Sequence, residues 1–191
     1  MTGDTEVFVV DDERNVADSY ANFLEEEYEV TVTYSGEEAL EELHPGVDVV
    51  LLDRRMPGLS GDEVLTEIDD RQLDCRVVMV TAVEPDLGIV EMSFDEYLVK
   101  PVTGEQLRNV IERMLARKTL DKQVQRMFVL ASKLATLESK LTFAQLESSE
   151  EYGALRREFT ELRDEVEIPD AEDDSYPRVA LEKFEALLHS T

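Results

Sequence analysis

Short runs of aliphatic residues, each ending at a polar residue, are the feature that most constrains the fold of this chain. Continuous apolar runs occupy residues 7–10 and 77–80, and a third spans residues 47–52 with one acidic interruption. Runs that are apolar on both faces are typical of strands buried in a parallel sheet. Two shorter candidates, 30–32 and 97–99, bring the number of predicted strands to five.

Helical periodicity fills the intervals between these strands. Ser35 with Glu38 forms a capping box at the start of one pattern, and Thr103 precedes another. The fourth pattern is short and covers only residues 86–92. Because strands and helices alternate over residues 1–117, the sequence predicts a doubly wound α/β domain with a five-stranded parallel sheet.

The second part of the chain lacks strand signals, and residues 118–168 are predicted to form an α-helical domain. Apolar residues recur at alternating spacings of four and three along Leu130–Ala144 and Leu155–Val166. Such seams predict a helical hairpin or a coiled coil. Residues 169–191 are predicted to form an acidic linker and a short last helix.

The charge balance is strongly acidic, with 45 acidic and 19 basic residues and a formal net charge of −26. A surface of this kind repels nucleic acid unless a local basic patch intervenes. The composition favours a halophilic source, since at about 1 M salt the screening length is only about 3 Å; an ordinary acidic cytosolic protein is the alternative. Without an apolar run of membrane-spanning length or a signal-peptide pattern, a cytoplasmic protein is expected.

Four predicted strands end at residue types that can do chemistry. Those residues are Asp11-Asp12, Asp53, Thr81 and Lys100. Ligands of open parallel sheets bind beyond the carboxyl ends of the strands, and converging carboxylates repel one another unless a cation such as Mg²⁺ joins them. A carboxylate held beside that cation and an ammonium group can act as a nucleophile toward phosphorus. The alternative, solvated acids at strand ends, does not explain why four strand ends coincide.

These segments resemble the receiver domain of two-component response regulators. The resemblance extends over residues 5–117 and is carried by Val10-Asp11-Asp12-Glu13, Leu51-Leu52-Asp53-Arg54-Arg55-Met56-Pro57-Gly58, Thr81-Ala82 and Lys100-Pro101. It implies a flavodoxin-like fold with a phosphoryl acceptor at Asp53. It also implies a cis peptide at Lys100-Pro101, and the short interval between Thr81 and Lys100 predicts a truncated fourth helix.

The resemblance also assigns roles to the remaining site residues. It implies a Mg²⁺ site built from three carboxylates and one main-chain oxygen: Asp11 through water, Asp12, Asp53 and the backbone carbonyl of Arg55. Thr81 is implied to be the switch hydroxyl, Tyr97 the switch aromatic, and Lys100 the cation that faces the phosphoryl group.

The stretch from Asp121 to Val166 resembles the HalX domain, a helical region that follows receivers in haloarchaeal regulators. The two resemblances predict a response regulator that a sensor histidine kinase phosphorylates on Asp53 and that signals through its helical tail, with transcription regulation as one output. A signalling adaptor whose tail binds a partner protein is the alternative, and direct DNA binding is left open. Apart from phosphoryl transfer and slow self-dephosphorylation, no enzyme activity is expected.

A homodimer held by residues 118–166 is also predicted. A single hairpin is expected to bury its two seams against each other and to leave four apolar residues with little cover: Leu120, Val124, Met127 and Phe128. Pairing of two chains would cover them, so the tail is expected to associate with a second copy.

Overall fold

The computed structural model describes residues 5–118 and 122–165. Within this part of the chain the strands are β1 Glu6–Val10, β2 Glu29–Thr33, β3 Val49–Leu52, β4 Arg76–Thr81 and β5 Glu96–Val99. The helices are α1 Arg14–Leu24, α2 Gly36–Glu42, α3 Gly61–Asp70, α4 Gly104–Lys118, α5 Lys122–Lys140, α6 Phe143–Glu147 and α7 Glu150–Glu165. The predicted acidic linker, the predicted last helix, Leu120 and the seam residue Val166 lie outside the described residues.

The five strands form one parallel sheet in the order β2-β1-β3-β4-β5. Val10 at the end of β1 pairs with Thr33 on one side and with Leu52 on the other. The strand order reverses between β1 and β3, and such a switch point opens a crevice at the carboxyl edge of the sheet. The predicted doubly wound α/β fold is confirmed, and its topology places the predicted site residues at that crevice.

The central strands of the sheet are continuous apolar runs because both of their faces are buried in the core. Residues 7–10 of β1 and all of β3 are buried, because helices cover both faces of a parallel sheet. On one face, the buried side chains of β1, β3 and β4 pack with apolar stripes of α1 and α4, which include Leu24 and Ile111. This packing holds the carboxyl ends of the strands in a fixed arrangement.

The chain divides into two compact units whose boundary does not follow the chain order. In the ranges that the structure describes, one unit, the receiver unit, contains 5–84 together with Met92–Leu115, and the other, the helical unit, contains Pro85–Glu91, 116–118 and 122–165. The short fourth helix predicted at residues 86–92 is present in the β4–β5 connection, as a 3₁₀ turn rather than an α-helix, Leu87–Glu91. The Asp86 carboxylate accepts the Gly88 N–H at 2.9 Å, which favours a turn at this point.

The helical unit contains the predicted hairpin, formed by α5 and α7. Arg126 pairs with Glu158 at 2.8 Å, and the Tyr152 hydroxyl donates to the Glu138 carboxylate at 2.5 Å. These pairings show that the two helices run antiparallel. Buried residues of both predicted seams lie in this hairpin: Leu130, Leu134, Leu137, Leu155 and Phe159. Among the described residues, no helix combines the length and the apolar character needed to cross a membrane.

The first predicted seam is wrong at its carboxyl end. Helix α5 ends at Lys140, and α6 starts after Thr142, whose N–H donates to the side chain of Gln145 at 3.0 Å. This capping interaction starts a new helix and interrupts the heptad pattern. Consequently Ala144 is exposed, although its spacing had placed it in the seam.

Three of the four residues expected to need a second chain for cover are buried within one chain. Val124, Met127 and Phe128 are all buried within a single chain, with exposed fractions of 6%, 0% and 2%. The Arg117 guanidinium covers the Phe128 ring, with 5.0 Å between the Arg117 Cζ atom and the ring centroid. The expectation that these three residues lack cover is therefore wrong. Dimerisation itself stays a prediction, which light scattering of the full chain would check.

Candidate functional site

Asp53 occupies the first position after β3, at the carboxyl edge of the sheet. Its N–H donates to the Val10 carbonyl at 2.9 Å and so continues the ladder between β3 and β1. The side chain is 8% exposed, and its two oxygens accept hydrogen bonds from the Lys100 ammonium at 3.0 Å and from the Arg55 N–H at 3.3 Å. The carboxylate is therefore held in one orientation at the switch point of the sheet.

The turn after Asp53 is held in place by the start of α3. The Gly61 N–H donates to the Arg54 carbonyl at 3.0 Å. A Cβ atom at Gly61 would lie 2.0 Å from the Asp53 carbonyl oxygen, so only glycine allows α3 to approach the turn this closely. Ser60 and Glu63 form a capping box that starts the helix at this point.

Lys100 follows β5 and carries the positive charge of the site. Its Nζ atom lies 2.7 Å from Asp11, 3.0 Å from Asp53 and 3.6 Å from Glu13. Its own N–H donates to the Thr81 carbonyl at 2.8 Å, which ties the end of β5 to the end of β4. The peptide bond between Lys100 and Pro101 is cis, as the receiver resemblance implies.

Burial and mutual attraction shift the pKa values of this group. Burial lowers the pKa of Lys100, but its hydrogen bonds to Asp11 and Asp53 outweigh burial, so the pKa lies above its usual range. Burial raises the pKa of Asp11 more than the attraction of Lys100 lowers it. Removing a buried carboxylate from water makes its charge costly unless cations compensate for it. The site therefore holds more negative charge than one ammonium group neutralises.

Three carboxylates form what we call the acid cluster: Asp11, Glu13 and Asp53. Each offers an oxygen, and these oxygens lie within 4.8 Å of one another. A hard cation with oxygen ligands suits such a group, because carboxylates and water are the ligands that Mg²⁺ prefers. Of the predicted carboxylates, Asp11 and Asp53 belong to the acid cluster, whereas Asp12 lines the cavity and Glu13 takes its place in the cluster. The acid cluster fits a Mg²⁺ ion.

A cavity of about 530 Å³ opens at this edge of the sheet. Its lining includes four of the predicted site residues, and the full set is Asp12, Glu13, Asp53, Arg55, Thr81, Ala82, Val83 and Glu84. Asp11 and Lys100 reach the same place through their contacts with each other and with Asp53. The structure thus brings together the predicted acids, the hydroxyl and the lysine around one cavity.

Thr81 and Tyr97 both bind the main chain of Val83. The Thr81 hydroxyl accepts the Val83 N–H at 3.3 Å, and the Tyr97 hydroxyl donates to the Val83 carbonyl at 2.8 Å. Tyr97 is 6% exposed and packs edge-to-face against Phe94. It does not belong to the cavity lining, so Tyr97 contacts the site through Val83.

Two residues of the site, Glu13 and Val83, were not among the site residues predicted from the sequence. Glu13 follows the acidic pair directly, and its position two residues after Asp11 was a signal that could have been used. Val83 takes part through its main-chain groups, which any residue carries, so no sequence signal could have singled it out.

Comparison with known proteins separates two regions of the chain. A family model described as the response regulator receiver domain matches residues 7–112, and the HalX domain model matches residues 116–187. A Haloferax volcanii protein named "Putative transcriptional regulator" is 47% identical over 162 residues, which make up 84% of this chain and 28% of that protein. RegX3, a sensory transduction protein of Mycobacterium tuberculosis, is 37% identical over 118 residues, or 59% of this chain and 52% of that protein.

Solved structures match the receiver region. The crystal structure of response regulator protein TrrA from Thermotoga maritima in complex with Mg²⁺-BeF has 36% identity and a TM-score of 0.52. The match covers 58% of this chain and 98% of that one. This chain spans about half or less of the length of the two relatives above. The receiver model covers more than half of the chain, and the HalX model covers most of the rest. The chain therefore belongs to the response regulator receiver family, with a HalX domain after the receiver.

Proposed function

We propose that this chain is a switch in which Asp53 accepts a phosphoryl group from a sensor histidine kinase. The observation that carries the proposal is the Asp53 carboxylate, which lines the cavity, is bound by Lys100 at 3.0 Å and belongs to the acid cluster. The family membership and the name of RegX3, a sensory transduction protein, support the same function. We propose no activity beyond receipt and slow loss of the phosphoryl group.

The residues of the site divide the chemistry of transfer among them. An Asp53 oxygen forms a bond to phosphorus as the bond between phosphorus and the donor imidazole nitrogen breaks; that nitrogen keeps the electron pair and takes up a proton. Lys100 faces the negative charge of the phosphoryl oxygens. The Thr81 hydroxyl binds one of these oxygens when the switch is on.

A Mg²⁺ ion would be held by the acidic side of the cavity. We propose as its ligands Asp11 through water, Asp12, Asp53 and the backbone carbonyl of Arg55, with Glu13 beside them. When bound, it would neutralise the charge of the carboxylates and of the phosphoryl oxygens. The Mg²⁺-BeF complex of the Thermotoga relative supports this choice of metal.

Acetyl phosphate with Mg²⁺ is expected to label the chain once, at Asp53. Substituting Asp53→Asn removes the nucleophilic oxygen and should abolish labelling, whereas Asp48→Asn should leave it unchanged. Asp48 is a matched control, because it precedes the same strand and its side chain accepts the Glu6 N–H at 3.1 Å at the opposite edge of the sheet. Mass spectrometry of the intact protein measures the added phosphoryl group. Equal labelling of the Asp53→Asn variant would contradict the assignment.

We further propose that the HalX domain acts through a protein partner. In α5, Arg126 is paired with Glu158 and Lys133 is buried, so two of the four basic residues of this helix do not present their charge to a nucleic acid. The name of the Haloferax relative supports transcription as the process that is regulated. A gel-shift assay with total genomic fragments checks this: tight, salt-sensitive DNA binding by the full chain would contradict it.

A further inference from the structure

The β4–β5 connection joins the candidate site to the helical unit through the backbone. Ala82, Val83 and Glu84 line the cavity, and the next seven residues, 85–91, belong to the helical unit. The chain returns to the receiver unit at Met92. A displacement of residues 82–84 therefore acts on a segment that is packed as part of the helical unit.

At the cavity end, side chains bind both main-chain polar groups of one residue, Val83. Thr81 accepts the N–H of Val83, and Tyr97 donates to the carbonyl of the same residue. When the Thr81 hydroxyl turns to a phosphoryl oxygen on Asp53, its bond with the Val83 N–H is weakened. The state of Asp53 is thereby expressed in the position of Val83, two residues before the helical unit begins.

At the other end, α5 holds the 3₁₀ turn. The Lys133 ammonium donates to the Val90 carbonyl at 2.7 Å, and Lys133 is 3% exposed. The neighbouring Ile89 is fully buried. The buried side chain of Ile89 and the hydrogen-bonded carbonyl of Val90 fix the turn to α5. We therefore expect the turn and α5 to move together.

Burial of the Lys133 ammonium lowers the free energy of unfolding at neutral pH. Burial, and to a smaller extent Arg126 on the same helix, lower its pKa to about 8, and Glu158 on α7 opposes the change. The unfolded chain holds this proton up to the ordinary pKa of 10.5, so the free energy of unfolding rises between about pH 8 and 10.5 and is lowest below pH 8. The geometry assigns this ammonium a positioning role, because it is held at 2.7 Å from the Val90 carbonyl of the 3₁₀ turn.

We propose that Lys133 is the positioning residue through which helix α5 follows residues 85–91 when the state of Asp53 changes. This proposal rests on the proposed phosphorylation of Asp53. Coupling of this kind is reciprocal and needs a contact that differs between the two states. The bond between Thr81 and the Val83 N–H is that contact, and the bond between Lys133 and Val90 passes the change on to α5.

Hydrogen–deuterium exchange of the full chain, with and without Mg²⁺ and beryllofluoride, tests the proposal. In the wild type we expect beryllofluoride to change the exchange rates of residues 82–84 and of α5 by about tenfold, a size typical of allosteric coupling. The Lys133→Met variant should keep the change at residues 82–84 and reduce the change in α5 to less than about twofold. Lys140→Met, at an exposed position of the same helix, should behave as the wild type.

Two more variants separate positioning from folding. Lys133→Arg keeps a donor for the Val90 carbonyl and should restore the response of α5. Tyr97→Phe leaves Lys133 in place and removes the donor to Val83, so it should also uncouple α5 if Lys133→Met proves unstable. A Lys133→Met protein that responds like the wild type overturns the inference. If the wild type responds at residues 82–84 but not in α5, the inference about Lys133 is overturned and the proposed function stands. If neither place responds, the proposed function is overturned as well.

Discussion

Replacing Lys100 with methionine is expected to lower the free energy of unfolding by about 3 to 5 kcal/mol, since removing one partner of a buried charge pair leaves the other uncompensated. The Lys100 side chain is 10% exposed, and the carboxylates of Asp11 and Asp53 that it binds are 3% and 8% exposed. Without the ammonium group, the negative charges of Asp11, Glu13 and Asp53 repel one another with no positive charge to offset them. Urea unfolding of the full chain, followed by circular dichroism, measures the loss.

Magnesium should restore part of that stability in the Lys100→Met variant, because a cation among the carboxylates supplies the missing charge. The same ion should stabilise the wild type less, since there the ammonium already neutralises part of the cluster. Lys122→Met, which removes one positive charge from an exposed position, is the matched control. If Lys100→Met unfolds at the same urea concentration as this control, the acid cluster does not depend on Lys100.

The melting temperature should rise strongly between low salt and molar KCl. Residues 1–117 contain 29 acidic and 9 basic residues, so like charges dominate this part of the chain. The screening length falls from about 10 Å at 0.1 M to about 3 Å at 1 M salt, which suppresses this repulsion. A gain of several kcal/mol corresponds to roughly 10 °C or more for a domain of this size. Differential scanning calorimetry across KCl concentrations measures the shift.

Removing acidic charge should reduce this dependence on salt. Glu25 and Glu26 are exposed at the end of α1, and their double substitution by glutamine should raise the melting temperature at low salt and flatten its rise with KCl. Arg71→Gln, which removes an exposed positive charge, should do the reverse. A melting temperature that stays constant over the whole range would count against a halophilic adaptation.

The strands were predictable because burial in a parallel sheet demands apolar residues on both faces. The runs at 7–10, 47–52 and 77–80 therefore identified β1, β3 and β4 within one or two residues. Sheet geometry then placed Asp53 and Lys100 at the same edge, and their contact at 3.0 Å agrees with that expectation. The spacing of apolar residues predicted the tail less well, because the capping interaction of Thr142 starts a new helix and ends the seam of α5 early.

By itself, the sequence determined the periodicities that build the sheet and the hairpin, and with them the residue types at the strand ends. Only the tertiary structure decided that residues 85–91 pack with the helical unit, that Lys133 is buried against the Val90 carbonyl, and that Met127 and Phe128 are covered within one chain. The physical reason is the range of the interactions. Strand and helix patterns repeat over a few neighbouring residues, whereas these contacts join segments tens of residues apart and leave no periodic trace in either one.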